Sequence, residues 1–111
     1  MAIIIHTSSS KTLLSRIRSK IINGECMNWK YDADGDFTQT SSQYEDRAWL
    51  HAVIELENEL IFAIYGRKDE RMTKETYAVY HCKFAEFLLN TFDADIVEVN
   101  LTSMPTKYDS I

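Results

Sequence analysis

The chain opens on Ala2-Ile3-Ile4-Ile5, a mostly β-branched run that sends apolar side chains to both faces, as an interior strand does. Thr7 to Ser10 then end the strand and offer N-cap hydroxyls. From Lys11 to Asn23 the apolar residues Leu13, Leu14, Ile17 and Ile21 recur at helical spacing, and Gly24 stands at the position that closes a helix, so a first helix is predicted there. Trp29 to Tyr31 and Phe37 read as short strands on either side of Asp32-Ala33-Asp34-Gly35-Asp36. Gln39 to Arg47 is polar and aperiodic, which predicts the longest loop. Trp49 to Leu56 and Leu60 to Tyr65 are β-rich runs joined around Glu57-Asn58, a hairpin. Thr73 caps a second predicted helix that runs to about Asn90, with Tyr77, Tyr80, His81, Phe84, Phe87 and Leu88 on one face. Ile96 to Leu101 alternates, with Val97, Val99 and Leu101 on one side, as an edge strand with one buried face would. The tail from Pro105 reads as loose.

The predicted order is β-α-β-β-β-β-α-β. It implies an α+β fold: a two-layer sandwich, with a mostly antiparallel sheet carrying both helices on one face. Stripped of the hairpin around Gly35, this is the βαββαβ plan of the ferredoxin-like class. That likeness is one of architecture and implies no activity.

With 111 residues, 45% of them apolar, and a single proline, residues 1–111 are expected to form a single folded domain. Ala2 to Ile5 is too short for a signal-peptide core, and nothing approaches the ~20 apolar residues of a membrane span. A cytoplasmic protein without membrane contact is expected. Cys26 and Cys82 have neither zinc nor redox spacing, so free thiols are expected, and no metal or cofactor. The net charge of −5 is uneven: up to Tyr31 there are five basic residues (Lys11, Arg16, Arg18, Lys20 and Lys30) against Glu25 alone, and the rest is strongly acidic. The first helix's cations flank both sides of its apolar stripe and so make no phosphate-reading face. This balance disfavours nucleic acid and suits a basic protein partner.

Asp32 to Asp36 resembles the acidic start of a calcium loop, but Phe37 stands where the sharp-turn glycine belongs and Gln43 where the bidentate glutamate belongs. As a hairpin turn it needs nothing added, because Asp side chains bond nearby amides and Gly35 supplies positive φ.

If Leu56 pairs with Glu59 in an unbroken ladder, one face of the central hairpin collects Leu50, Ala52, Ile54, Ile61, Ala63 and Tyr65. Trp49, His51, Val53, Leu60, Phe62 and Ile64 then share the other. Both faces are apolar, yet helices cover only one. The second must be covered by the segment from Trp29 to Arg47, by a second copy, or by a partner. Trp49, His51, Val53, Phe62 and Ile64, bordered by Asp32, Asp34 and Asp36, are therefore the candidate interface. The expected function is non-enzymatic: binding a protein partner, as an inhibitor, immunity-type or regulatory factor does, or self-association. The alternative is a small enzyme or ligand-binding domain with a pocket near His51 and the acidic turn. His81 lies on the core stripe, where a buried imidazole bonded to a carbonyl is expected, and His6 ends the first strand beside capping residues.

Overall fold

Ser9 and Thr73 start the two helices by accepting backbone N–H groups from Thr12 and Thr76. The computed structural model describes residues 1–26 and 28–111. Its elements are β1 (Ala2–Thr7), α1 (Ser10–Ile22), β2 (Trp29–Tyr31), β3 (Phe37–Gln39), β4 (Ala48–Leu56), β5 (Glu59–Gly66), α2 (Lys74–Phe92), a 3-10 turn (Asp93–Asp95) and β6 (Ile96–Leu101). They follow the predicted order. Gly24 closes α1 with φ of 72°.

The six strands pair antiparallel in the order β2-β3-β4-β5-β1-β6. β5 lies between β1 and β4, so β1-α1-β4 is a split βαβ unit, as in the ferredoxin-like plan, and β2-β3 extends the sheet beyond β4. No described helix is long and apolar enough to cross a membrane.

The core is one cluster on the helix side. Leu13, Leu14 and Ile17 of α1 and Tyr80, Phe84, Leu88 and Phe92 of α2 meet Ile3, Ile5, Phe37, Leu50, Leu60, Phe62 and Ile64 from the sheet. Trp29 joins them, its ring edge-on to Tyr80 and Phe84 at 5.6 and 4.9 Å. The aromatic rings of the inserted hairpin, Trp29 and Phe37, are therefore spent on the helix side, while on the opposite face the segment from Trp29 to Arg47 meets β4 through Asp36 at His51.

Two one-residue bulges reset the faces. Leu56 does pair with Glu59, but the register shifts between Val53 and Leu56, so that Val53 faces Ile61 and Ala52 faces Phe62. Because side chains alternate with period two, one extra residue moves a whole set of side chains to the other face. Phe62 and Ile64 are consequently core residues, each 0% exposed, and not part of an interface with Trp49. Tyr65, Ala63 and Ile61 take their places beside Trp49, His51 and Val53. The second shift lies between His6 and Thr7, where β6 carries the extra residue, and Val97 turns outward to 82% exposure instead of sharing a buried face with Val99.

The tail is tied down, contrary to the loose segment expected. Asp109 accepts the N–H of Ile64 at 3.0 Å and of Thr106 at 2.7 Å, and Ser110 exchanges hydrogen bonds with Ile64 and Gly66. Tyr108 donates its hydroxyl to Glu55 at 2.7 Å, so its ring lies across the outward face between β5 and the end of β4. Ile61 and Ala63 are 4% and 0% exposed on that face, although both helices stand on the other.

Candidate functional site

The hairpin between β2 and β3 sets the rim. Asp32 Oδ1 accepts the N–H groups of Asp34 and Asp36 at 3.0 and 3.1 Å, and Gly35 turns the chain with φ of 81°. A Cβ on Gly35 would stand 3.2 Å from the end of the Arg18 side chain, so it is the positive φ that calls for glycine at this turn. The Asp32 carboxylate is thus occupied with its own turn.

Next along the hairpin, Asp36 points its largely buried carboxylate at β4, where His51 Nδ1 lies 2.6 Å from Oδ1. The imidazole stacks on Tyr65 at 4.7 Å between centroids and 15° between planes. Tyr65 is in turn the direct cross-strand partner of Trp49. Carboxylate, imidazole, phenol and indole therefore run in sequence over the outward face of β3, β4 and β5.

Beside them lies an open hollow of about 690 Å³, lined by Asp32, Asp34, Asp36, Asp46, Trp49, Tyr65 and the segment from Gly66 to Asp69, and closed at one side by Ser110 of the tail. Asp46 reaches it from a left-handed turn (φ 57°), which Asp tolerates better than most residues. Arg67 forks onto Asp69 through Nε and Nη2 at 2.8 and 2.7 Å. That pairing holds the Asp69 carboxyl at about 2 and pushes the Arg67 guanidinium above its usual range. Among the residues that line the hollow there are thus five aspartates against Arg67 and Lys68, and the Asp34 side chain has no hydrogen-bond or ion-pair partner among the described residues.

No protein-family model matches the chain, and no curated protein and no solved structure matches it either. Function therefore rests on this geometry.

Of the residues singled out from sequence, Trp49, His51, Asp32, Asp34 and Asp36 converge here. Val53 shares their face two positions along β4 but does not line the hollow, and Phe62 and Ile64 lie beneath it in the core. Tyr65, Asp46, Arg67, Lys68 and Asp69 were not legible as site residues. Tyr65 is displaced to the other face by an unbroken register, and the charged connection after Gly66 carries no motif. Among the described residues no group of three or more His, Cys, Asp and Glu side chains is placed to hold a metal ion.

The other two histidines stand apart from the hollow. His81 is buried on α2, its Nδ1 2.7 Å from the Tyr77 carbonyl, as its place on the core stripe predicts. Burial pushes its pKa down, so the neutral ring is the folded form. His6 pairs with Glu59 and Glu98 in the sheet ladder.

Proposed function

We propose that the protein is a non-enzymatic binding module of the cytoplasm that captures a lysine- or arginine-bearing segment of a protein partner in the hollow beside Trp49. One observation carries this reading: Trp49 and Tyr65 stand side by side at a hollow whose aspartates outnumber its cations. A guanidinium or ammonium laid on an indole or phenol face is attracted by the ring quadrupole, by about 0.5–2 kcal/mol depending on solvation. Carboxylates around such a ring add Coulomb attraction and select against acidic segments. The unequal charge of the chain supports the same reading, since the acidic excess falls after Tyr31, where the hollow is built. Calorimetric titration with an arginine- and lysine-rich peptide tests it. Binding that weakens steeply with salt and is lost in Trp49→Ala is expected. Equal binding by wild type and Trp49→Ala, or none at millimolar peptide, overturns it.

A second reading rests on the Asp36–His51 pair. A carboxylate that fixes one imidazole nitrogen leaves the other oriented for proton transfer, which is the arrangement acid–base catalysis uses. Among the residues that line the hollow, Asp36 is the one described with a hydrogen bond to His51. The reading predicts turnover of small activated esters that disappears in His51→Gln. A rate equal to buffer in the wild type eliminates it.

A further inference from the structure

Up to Tyr31 the chain carries five cations, and three of them are paired: Arg16 with Asp95, Lys20 with Glu25 and Lys30 with Glu45. The other two, Lys11 and Arg18, form no hydrogen bond or ion pair with any described residue. Both line one open groove of about 400 Å³, which runs along α1 against Tyr31 of β2 and the bulged end of β4. Among the described residues no carboxylate lines it. Arg18 is half-buried, and its Nε is shut away from solvent without a partner. A charge so placed is unfavourable until an anion compensates it. The Arg18 guanidinium stands beside the turn at Gly35, yet no aspartate of that turn pairs with it: Asp32 is committed to the turn's own amides and Asp36 to His51. Lys11, Ser15 and Arg18 recur at helical spacing on one flank of α1, so charge, hydroxyl and charge stand in a row about 10 Å long.

We propose that this groove binds an organic phosphate monoester, with Arg18 holding two phosphate oxygens, Lys11 meeting the second negative charge, and the Tyr31 ring and Ile22 lying against the apolar body of the ligand. The charge count selects phosphate over carboxylate. A carboxylate is satisfied by a single guanidinium fork and would leave Lys11 without a counter-charge. A phosphate monoester carries about −1.5 to −2 at neutral pH and three acceptor oxygens, which match two cations with the Ser15, Ser19 and Tyr31 hydroxyls around them. The apolar part of the lining selects an ester over the free ion, since Ile22 is 69% exposed and gains cover from a ligand body. The volume of the groove falls in the range of small-molecule sites, about 300–1,000 Å³. The first helix has no basic face as a whole because Arg16 and Lys20 lie across its apolar stripe, each with a carboxylate of its own, and it is the flank of Lys11 and Arg18 that the groove uses. The site is independent of the hollow at Trp49, with which it shares no lining residue.

Phenyl phosphate, titrated by calorimetry and followed by amide chemical shifts, tests it. Saturable binding is expected, with the shifts concentrated at Ser15, Arg18, Ser19 and Tyr31. Affinity should fall by about 10-fold or more in Arg18→Gln and stay unchanged in Arg16→Gln, which removes the same charge from the opposite flank. Inorganic phosphate and benzoate should each bind at least about 5-fold more weakly than the ester, which separates it from the free ion and from a carboxylate. No saturation by about 10 mM phenyl phosphate overturns the proposal. So do wild-type shifts that avoid α1 and Tyr31, a readout that needs no variant to fold. Equal weakening by the two arginine variants would do the same, as would benzoate or inorganic phosphate held as tightly as the ester.

Discussion

Asp109 accepts the backbone N–H of Ile64 at 3.0 Å and so fills the ladder position next to β5 that β1 leaves empty beyond Ala2. The same carboxylate accepts from Thr106 N–H and lies 3.4 Å from the amino group of Met1, with its side chain 1% exposed. A buried carboxylate is tolerable only while its acceptor sites are filled, so Asp109 holds the tail and is itself held by it.

Asp109→Ala should therefore cost about 2–4 kcal/mol, because charged hydrogen bonds are lost and the Ile64 amide is left unpaired. Asp109→Asn, which keeps one carbonyl oxygen, should cost less. Urea unfolding of both variants checks this, and an alanine variant within 0.5 kcal/mol of wild type would show that the tail is only loosely associated. The tail should also become cleavable by protease between residues 102 and 111 in the alanine variant before the core unfolds.

Removing the ring that crosses the outward face should have a different signature. Tyr108→Ala is expected to expose Ile61 and raise the binding of a hydrophobic dye, while Tyr108→Phe keeps the cover and loses only the bond to Glu55. That bond, together with the Glu55 charge, raises the Tyr108 pKa, so the phenol stays protonated further into alkali than a free tyrosine. Equal dye binding by both variants would contradict the covering role.

The face assignment of the central hairpin yields a sharper test. Phe62→Ala removes a ring packed edge-on against Phe37 and Phe84, at 5.5 and 4.7 Å, and should cost about 3–5 kcal/mol. Trp49→Ala, on the half-buried outward face, should cost no more than about half of that. Equal losses would mean that the two residues share one environment, as the unbroken register requires.

Why that register misleads is a matter of patterning. The helices, the strand order, the edge position of β6 and the turn at Gly35 were legible because each has a one-sided signal: a 3.6-residue stripe, a cap, or a residue that only a turn explains. From Trp49 to Leu56 both faces are apolar, so a slip of one residue leaves the binary pattern unchanged and the bulge between Val53 and Leu56 has no signature. The tail was illegible for a related reason. Its anchor is a single aspartate, and nothing in Thr106-Lys107-Tyr108-Asp109 distinguishes a docking carboxylate from a solvated one. The candidate site is legible only in part: the sequence pattern groups Trp49 and His51 with the three turn aspartates but also with Phe62 and Ile64, which the bulge turns into the core, while Tyr65 and the Asp46 and Arg67 rim depend on tertiary approach.

His81 should make stability fall with acid. Its folded pKa is lowered, chiefly by burial, with the Tyr77 carbonyl and the Met1 backbone acting in the opposite sense and the Met1 amino group and Asp109 carboxylate nearby. A group whose folded pKa lies below its unfolded value of about 6.5 contributes fully above that pH, because both states are then neutral. Below it the unfolded chain binds the proton first, and stability is lost down to the folded pKa. The urea midpoint should thus drop between pH 7.5 and pH 5, and His81→Gln should flatten that drop. An unchanged slope in the variant would assign the acid sensitivity to other groups.

If Trp49 and its aspartates hold a basic segment, charge and aromatic contributions should separate experimentally. Asp34→Asn with Asp46→Asn should weaken peptide binding by about 10-fold at low salt and by much less at 0.5 M salt, because exposed charges are screened over about 4 Å there. Trp49→Leu should weaken binding by a factor nearly independent of salt, since dispersion and burial are not screened. Folding is not at risk in the aspartate pair: both side chains are exposed, and the turn is held by Asp32 and Gly35, not by Asp34. A salt dependence that is the same in both variants would mean that the peptide is attracted by the net charge of the whole chain. The hollow would then have no special claim on it, and the convergence of Trp49, Tyr65 and the aspartates would have to be explained by stability alone.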